Sequence, residues 1–209
     1  MVATQTVTIE TVSVVRPLKI ISLICLLIAI VLSVVSIATT SWLRSGSFRT
    51  GLFQECTSTN EPSGSAPFDG APAPGQCHSP NRDSAFIKAV AGLMISALIL
   101  TFFAAILNVC GLVKSDVRRK YIFYKFATYL AIFCVLIELI ALIVFPACFY
   151  VKMRDYKSRR DWEVDWSYGL AWGATLFTFG ASLMLICDKE HEEIYYKEKT
   201  IYNPPPELS

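Results

Sequence analysis

Charged residues divide this chain into four long apolar segments. Residues 20–43, 89–113 and 166–187 contain no Asp, Glu, Lys or Arg, and residues 126–151 contain a single one. Each segment exceeds the roughly 20 residues that an α-helix needs to cross the hydrocarbon of a bilayer. The pattern therefore predicts four transmembrane helices in an all-α membrane protein, with a single domain over residues 1–209.

The segments between the predicted helices are polar and differ in length. A first loop covers 44–88, a short second loop 114–125, a third loop 152–165 and a tail 188–209. The first apolar segment is longer than the roughly 7–15 apolar residues of a cleavable signal peptide. We therefore interpret it as a signal-anchor helix.

Composition supports this class and argues against others. The chain has 209 residues, of which 54% are hydrophobic and 17% charged. A soluble domain of this size could bury so many apolar side chains only with difficulty. We therefore expect neither a soluble enzyme nor a nucleic-acid-binding protein, and the net charge of +2 indicates no partner.

Four spans place both termini on one side of the membrane. Five basic residues lie in the short loop 114–125, and Arg16 and Lys19 lie beside the first helix. Basic residues near span ends favour the cytoplasmic side, although the totals over all loops are almost even. The two cysteines away from the spans, Cys56 and Cys77, share the first loop and would form a disulfide in an oxidising compartment. We predict cytoplasmic termini and an extracellular first loop.

The first loop has two parts of different character. Ser45-Gly46-Ser47 separates Trp42-Leu43-Arg44 from residues 48–56, which predicts a β-hairpin. Residues 57–80 are rich in Pro, Gly and Ser, which argues against regular strands and for an irregular excursion. A Cys56–Cys77 disulfide would contribute about 3 kcal/mol to the order of this segment on the chain-entropy estimate. Two unrelated thiols are the alternative.

Glu138 is the ionisable residue inside a predicted span, near its centre. A charge at that depth costs about 2.5–3.5 kcal/mol on insertion scales, so such a residue is by default a functional hypothesis. We interpret it as a protonated carboxyl that joins helices by a hydrogen bond, and a proton or ion relay is the alternative. Its candidate partners at the same depth are Ser33, Thr101, Thr175 and Thr178.

The fourth predicted helix begins with small and aromatic residues. Gly169 and Gly173 form a small-xxx-small pair, which permits the close approach of another helix. Packing within the chain is the preferred interpretation, and a dimer face is the alternative. Trp166, Tyr168 and Trp172 lie at the same end and are predicted to anchor the helix at the membrane interface.

The cytoplasmic side carries candidate sites of modification and binding. Cys110 and Cys187, near helix ends, are candidates for palmitoylation, with packing as small apolar residues as the alternative. Tyr195 follows two glutamates and is a candidate for phosphorylation. The basic loop 114–125 is expected to attract anionic membrane lipids. The chain ends in Ser209, whereas PDZ grooves prefer an apolar last side chain, so PDZ scaffold binding is not expected.

Motifs of catalysis are missing from the sequence. It contains no Cys-x-x-Cys and no glycine-rich phosphate loop. His78 and His191 fall on opposite sides of the membrane in the predicted topology, so they cannot share a metal ion. We therefore expect no enzyme activity, no metal site and no cofactor.

The first loop resembles that of the claudin and peripheral-myelin-protein superfamily. Trp42, the triplet Gly51-Leu52-Phe53, Cys56 and Cys77 are similar to its Trp…Gly-Leu-Trp…Cys…Cys signature. Phe53 replaces the second tryptophan, the Trp-to-Gly spacing is shorter, and the Cys-to-Cys spacing is longer than in claudins.

Two other stretches are similar to the transmembrane protein 47 group of this superfamily. Residues 166–175 resemble the start of its fourth helix. Residues 145–149 resemble the Tyr-Pro-x-Lys-aromatic element that ends its third helix, with Phe145 and Cys148 in place of Tyr and Lys. The group includes a nematode claudin-like adherens-junction protein and, more distantly, the desmosomal protein PERP.

This resemblance implies a fold and a function. The expected fold is a left-handed four-helix bundle with a small extracellular antiparallel β-sheet, built from the first loop and one strand of the third. The expected function is to organise adhesion and epithelial morphology at cell–cell junctions of the plasma membrane. Candidate partners are the cadherin–catenin complex, cytoskeletal linkers and like protomers. An auxiliary subunit of an ion channel and a paracellular barrier or pore component are the alternatives.

Overall fold

The structure is a computed structural model in which four helices account for most of the chain. Residues 17–59, 72–80, 85–114, 117–155 and 162–202 are described. The helices are α1 Pro17–Ala38, α2 Ala85–Val113, α3 Val117–Asp155 and α4 Trp166–Tyr202. Within these described ranges, all four are long and apolar enough to cross a membrane. The predicted four-helix membrane protein is confirmed.

The helix ends differ in places from the boundaries set by charge. α1 ends at Ala38 rather than at 43, because the chain turns at Thr39, whose hydroxyl donates to the Val35 carbonyl at 2.9 Å. The N–H of Trp42 then donates to the Thr50 carbonyl at 3.0 Å. The apolar residues after Ala38 therefore serve a sheet rather than a membrane helix. At the other extreme, α4 continues through part of the predicted tail to Tyr202.

In the bundle, each helix packs against its two neighbours in the cyclic order α1, α2, α3, α4. Large apolar side chains face outward, as at Val31, Ile143 and Leu176, which are 61%, 61% and 64% exposed. Lipid tails are as apolar as these side chains, so burying them would gain little, and small residues instead permit close helix contact. The fully buried alanines on the helices are Ala29, Ala104, Ala127, Ala131, Ala141, Ala171, Ala174 and Ala181.

Within the described part of the chain, five short strands form one antiparallel sheet at one end of the bundle. The first loop supplies β1 Leu43–Ser45, β2 Phe48–Thr50, β3 Glu55–Thr57 and β4 Cys77–His78, and the third loop supplies β5 Glu163–Val164. Their order across the sheet is β4-β3-β2-β1-β5. The small antiparallel sheet, with one strand from the third loop, is as the resemblance implied.

β1 and β2 form the predicted hairpin. Ser45 lies opposite Phe48, which leaves a two-residue turn. Gly46, the first residue of that turn, has φ 60°. Glycine adopts this conformation without the steric cost that a Cβ brings, and two-residue hairpin turns require it.

The prediction of an irregular chain over 57–80 is wrong at both ends of that segment. Thr57 pairs with Phe48 in β3, and Cys77 pairs with Cys56 in β4. The covalent link holds β4 beside β3, so a two-residue strand forms there without any propensity of its own. Residues 60–71, in the middle of the segment, lie outside the described part of the chain.

Candidate functional site

Trp42 is the centre of the contact between the sheet and the bundle. Its buried indole makes edge contacts with Phe145 of α3 and Tyr168 of α4, at 4.9 Å and 5.6 Å between ring centroids. The indole N–H donates to the Ser36 carbonyl of α1 at 2.8 Å, so its polar atom is satisfied. One signature residue therefore ties the sheet to three helices.

The backbone of Trp42 also links the sheet to the start of α4. Its carbonyl accepts the N–H of Asp165 at 3.0 Å. The Asp165 carboxylate in turn accepts the N–H of Trp166 at 2.8 Å, which satisfies one of the free N–H groups at the helix start. The exit from α1 and the beginning of α4 are thus held in one hydrogen-bonded arrangement.

Tyr168 replaces a hydrogen bond that Pro146 removes from α3. Proline has no N–H, so the carbonyl of Leu142, four residues earlier, loses its helical donor. The Tyr168 hydroxyl donates to that carbonyl at 2.7 Å. The prediction that Tyr168 anchors α4 at the interface is wrong, because its ring is buried and its hydroxyl is bound inside the protein. Trp166 and Trp172, by contrast, face outward.

The three residues of the triplet Gly51-Leu52-Phe53 have different structural roles. A Cβ at Gly51 would lie 2.7 Å from the Thr39 carbonyl oxygen and 2.7 Å from the Thr40 Cα, so the chain end of α1 leaves no room for a side chain. Leu52 is buried in the same core as Trp42. Phe53 is 47% exposed and belongs to the outer surface.

A row of charged side chains crosses one face of the sheet. Arg49 lies opposite Arg44, and Arg44 lies opposite Glu163. All three residues are exposed. The row continues into Cys56 and Cys77, which form the predicted disulfide. That disulfide is confirmed, and it fixes β4 at the edge of the charged row.

Glu138 lies inside the bundle, 1% exposed. Its side chain interacts with that of Thr175 on α4, and its Oε2 atom has no hydrogen-bond partner among the described residues. The Thr175 hydroxyl donates to the Ala171 carbonyl of its own helix at 3.0 Å. The contact between Glu138 and Thr175 joins α3 to α4, as the interpretation of a clasp between helices requires.

Other polar side chains near Glu138 also direct their hydrogens to backbone carbonyls. Thr101 and Thr178, two candidate partners, donate to carbonyls of their own helices at 2.9 Å and 3.0 Å. Cys134 donates to the Ala97 carbonyl of α2 at 3.6 Å. Ser33 is buried on α1. The hydroxyl and thiol hydrogens of Thr101, Thr178 and Cys134 are therefore used inside the bundle.

A polar cluster at the opposite end of the bundle is not expected from the sequence. Lys19 is 4% exposed, and its Nζ lies 4.2 Å from the centroid of the Tyr124 ring, an arrangement that stabilises the cation. By its position in the sequence, Lys19 is a basic residue that flanks the first apolar segment. The tertiary structure places it between α1 and α3.

Hydrogen bonding and close packing join α2 to the same cluster. The Asn108 side chain donates to the Ser22 hydroxyl of α1 at 2.8 Å, and both residues are fully buried. A Cβ at Gly111 would lie 2.8 Å from the Tyr124 ring. An asparagine within an otherwise apolar span was the sequence signal that could have indicated this cluster.

The glycine pair of α4 makes no close helix contact within the chain. Among the described residues, no atom outside the neighbouring backbone of α4 lies within 4 Å of a Cβ placed on Gly169, and one on Gly173 meets Leu32 at the ordinary distance of 3.5 Å. The preferred interpretation, tight packing inside the chain, is therefore wrong for Gly169. The side chain there would point away from the bundle.

The candidate modification sites lie at the end opposite the sheet. Cys110 is half-buried on α2, whereas Cys187 is exposed on α4. Tyr195 lies on the continuation of α4, and its side chain is outside the described part, as is Ser209. Of the two thiols, Cys187 is therefore the more accessible to a modifying enzyme.

Comparison with known protein families decides the classification. Residues 17–185 match the PMP-22/EMP/MP20/Claudin family, a segment that holds the bundle, the sheet and both signature cysteines. The chain belongs to this family. A zebrafish protein named "p53 apoptosis effector related to PMP-22" is 31% identical over 182 residues, which cover 85% of this chain and 88% of that protein.

The family match ends before α4 does. It stops at residue 185, close to the end of the apolar span at Cys187, whereas α4 continues to Tyr202. The membrane-spanning part and the sheet are thus the features that this chain shares with the claudin family. The helical continuation lies beyond the matched segment.

Proposed function

We propose that this claudin-family protein organises contacts between neighbouring cells at the plasma membrane. The observation that carries the proposal is a sheet fixed to a transmembrane bundle through Trp42 and closed by the Cys56–Cys77 disulfide. Disulfides persist in oxidising compartments, which supports an extracellular sheet and cytoplasmic termini. The protein would act by presenting a surface, rather than by catalysis.

Rigidity of the sheet supports this role. The second and third loops of many membrane proteins only connect helices, but here β5 of the third loop pairs with β1 of the first. Both strands are joined to the start of α4 by the hydrogen bond from Asp165 to Trp42. A surface held in this way keeps its orientation to the membrane, which favours repeated contacts between ordered partners.

The opposite face suits cytoplasmic partners. Lys114, Arg119 and Lys125 are exposed at that end, and each basic residue near a membrane surface attracts anionic lipids by about 1 kcal/mol. The continuation of α4 to Tyr202 provides a helix beyond the membrane for cadherin–catenin or cytoskeletal linkers. In this proposal the lipids orient the protein, and the helix couples it to the cell interior.

The name of the zebrafish relative indicates a second candidate function. That protein is named as a p53 apoptosis effector, and the similarity extends over 85% of this chain. A role in cell death would then use the same membrane scaffold. Loss of the protein would change the survival of cells in this case, whether or not they touch one another.

Imaging of the tagged full chain in an epithelium, with and without cadherin, tests the junctional proposal. We expect enrichment at cell–cell contacts that falls when cadherin is removed. An even distribution over free and contacting membrane would contradict it. Altered currents on co-expression with a pore-forming subunit, without such enrichment, would instead support an auxiliary channel subunit.

A further inference from the structure

Backbone hydrogen bonds close the base of the long segment between Cys56 and Cys77. The N–H of Thr57 donates to the Gln76 carbonyl at 3.2 Å, and the N–H of Gly75 donates to the Thr57 carbonyl at 2.8 Å. The disulfide between the two cysteines adds a covalent link at the same place. The residues that follow this base in the sequence therefore start from a fixed position.

Thr59 lies at this base with its side chain exposed. A Cβ at Gly75, whose φ is 81°, would lie 2.8 Å from the Thr59 Cγ2 atom, so the methyl group of Thr59 rests against this glycine. Among the described residues, none forms a hydrogen bond with the Thr59 hydroxyl. The side chain is thus held beside the sheet, and its hydroxyl is accessible to a reagent from solution.

The position of Thr59 at the edge of the sheet leaves room for a bulky group. It contacts Gly75, which comes just before β4, and β4 is the first strand in the order β4-β3-β2-β1-β5. In the described part of the chain, no further strand pairs with the outer side of β4. Thr57, by contrast, is only 6% exposed. A large substituent therefore fits at Thr59, whereas at Thr57 it would displace buried neighbours.

The sequence around Thr59 is typical of O-linked rather than N-linked glycosylation. None of the asparagines in the chain is followed two positions later by Ser or Thr, so the sequence contains no N-glycan acceptor. Segments in which Ser and Thr are mixed with proline are typical of O-glycosylation. Residues 57–67 contain five Ser or Thr and two Pro.

We propose that Thr59 is an acceptor of O-linked N-acetylgalactosamine, with a UDP-activated sugar as the donor. In the transfer, a bond forms between C1 of the sugar and Oγ1 of Thr59, the bond from C1 to the phosphate oxygen of UDP breaks, and the hydroxyl proton is released with UDP. The sugar then stands beside β4 and shields the open edge of the sheet, where unpaired backbone groups would otherwise attract another strand. The proposal rests on the extracellular sheet of the proposed function, because such transferases act inside the secretory compartments.

Mass spectrometry of the full chain and of its peptides, purified from animal cells, tests the site. We expect the wild type to carry a hexosamine on the peptide that contains Thr59, and T59A to lose this mass completely. T59S keeps a hydroxyl and should keep the sugar. T57A is the matched control, because it removes a buried hydroxyl two residues away, and it should be modified as the wild type is.

A further variant separates the modification from the orientation of the loop. P62S turns residues 60–62 into an Asn-x-Ser acceptor, so T59A/P62S should gain an N-glycan if the first loop is extracellular. An N-glycan on this variant, together with an unmodified Thr59 in the wild type, would overturn the inference and leave the proposed function intact. A hexosamine retained by T59A would assign the sugar to a different hydroxyl and would also overturn it. Absence of both sugars would count against an extracellular sheet, and so against both proposals.

Discussion

The two ends of the bundle are stabilised by different kinds of interaction. At the sheet end, the rings of Trp42, Phe145 and Tyr168 pack in a buried cluster. At the opposite end, a hydrogen bond joins Asn108 to Ser22. Aromatic rings therefore pack together at the sheet end, whereas polar side chains join the helices at the other end. From this difference we infer that the sheet end is the one that must keep a fixed geometry.

The solvent at each level explains this difference. The sheet lies beyond the helices, where water makes the burial of aromatic rings favourable. Between helices inside the membrane that driving force is missing, and interhelical hydrogen bonds contribute only about 0.6 kcal/mol on average. We therefore expect substitutions at the sheet end to cost more than those at the opposite end.

Trp42→Ala should have the largest effect. It removes a fully buried indole with two ring contacts and a hydrogen bond, and such truncations cost about 3–5 kcal/mol. The free energy of unfolding in detergent micelles, followed by circular dichroism, would measure the loss. Trp166→Ala is the matched control, because that side chain is 53% exposed and faces outward. Equal losses for the two variants would mean that the aromatic cluster does not stabilise the sheet end.

Replacing one glycine by alanine at each end of the bundle compares how tightly the two ends are packed. Gly51→Ala brings a Cβ against backbone atoms of Thr39 and Thr40, and overpacking of this kind costs about 1–3 kcal/mol. Gly111→Ala brings its Cβ against the Tyr124 side chain rather than against backbone, and a side chain shifts more readily than backbone, so its cost should be smaller. Gly92→Ala, with open space at its Cβ position, is the control. A larger cost for Gly111→Ala than for Gly51→Ala would reverse the proposed order of the two ends.

Tyr168→Phe should show that the Tyr168 hydroxyl replaces the N–H that Pro146 lacks. Losing the donor leaves the Leu142 carbonyl unpaired, at a cost of about 1–3 kcal/mol. In a Pro146→Ala background the helix supplies its own N–H, so the same substitution should cost less. A double-mutant cycle of unfolding free energies measures this coupling. Additive effects would show that the two residues act independently.

Ser22→Ala should have the smallest effect. It removes the acceptor for the Asn108 amide, and such bonds in membranes contribute about 0.6 kcal/mol, with a maximum near 1.7. Ser96→Ala is the control, because that hydroxyl donates to a carbonyl of its own helix. If Ser22→Ala proved as costly as Trp42→Ala, then the polar end would be as strictly packed as the aromatic end.

Much of the fold could be predicted from local signals. Because a charge in lipid is costly, all charged residues except Glu138 lie outside the four apolar segments, and this pattern predicts where the spans are. Glycine at position 46 predicts the turn, because this residue type readily adopts the positive φ that the turn requires. The cysteine pair predicts a covalent link. The strand at Cys77 could not be predicted in this way, since it forms by pairing with β3 rather than by propensity.

Parts of the candidate site were hidden because they depend on pairs of distant residues. The sequence contains Pro146 and Tyr168 in two separate similar stretches, but only packing shows that one residue satisfies the carbonyl freed by the other. Lys19 looked like a flanking charge, and its burial beside Tyr124 requires α1 and α3 to meet. No local pattern specifies such contacts.

By itself the sequence determined the four membrane-spanning segments, the hairpin and the class of protein, because each follows from the cost of placing a residue type in lipid or in a turn. The tertiary structure decided which residues share a face. The first loop contains as many acidic as basic residues and favours no partner when it is only counted. Strand register alone places Arg49, Arg44 and Glu163 in one outward row, because side chains directly opposite each other in a sheet must lie on the same side.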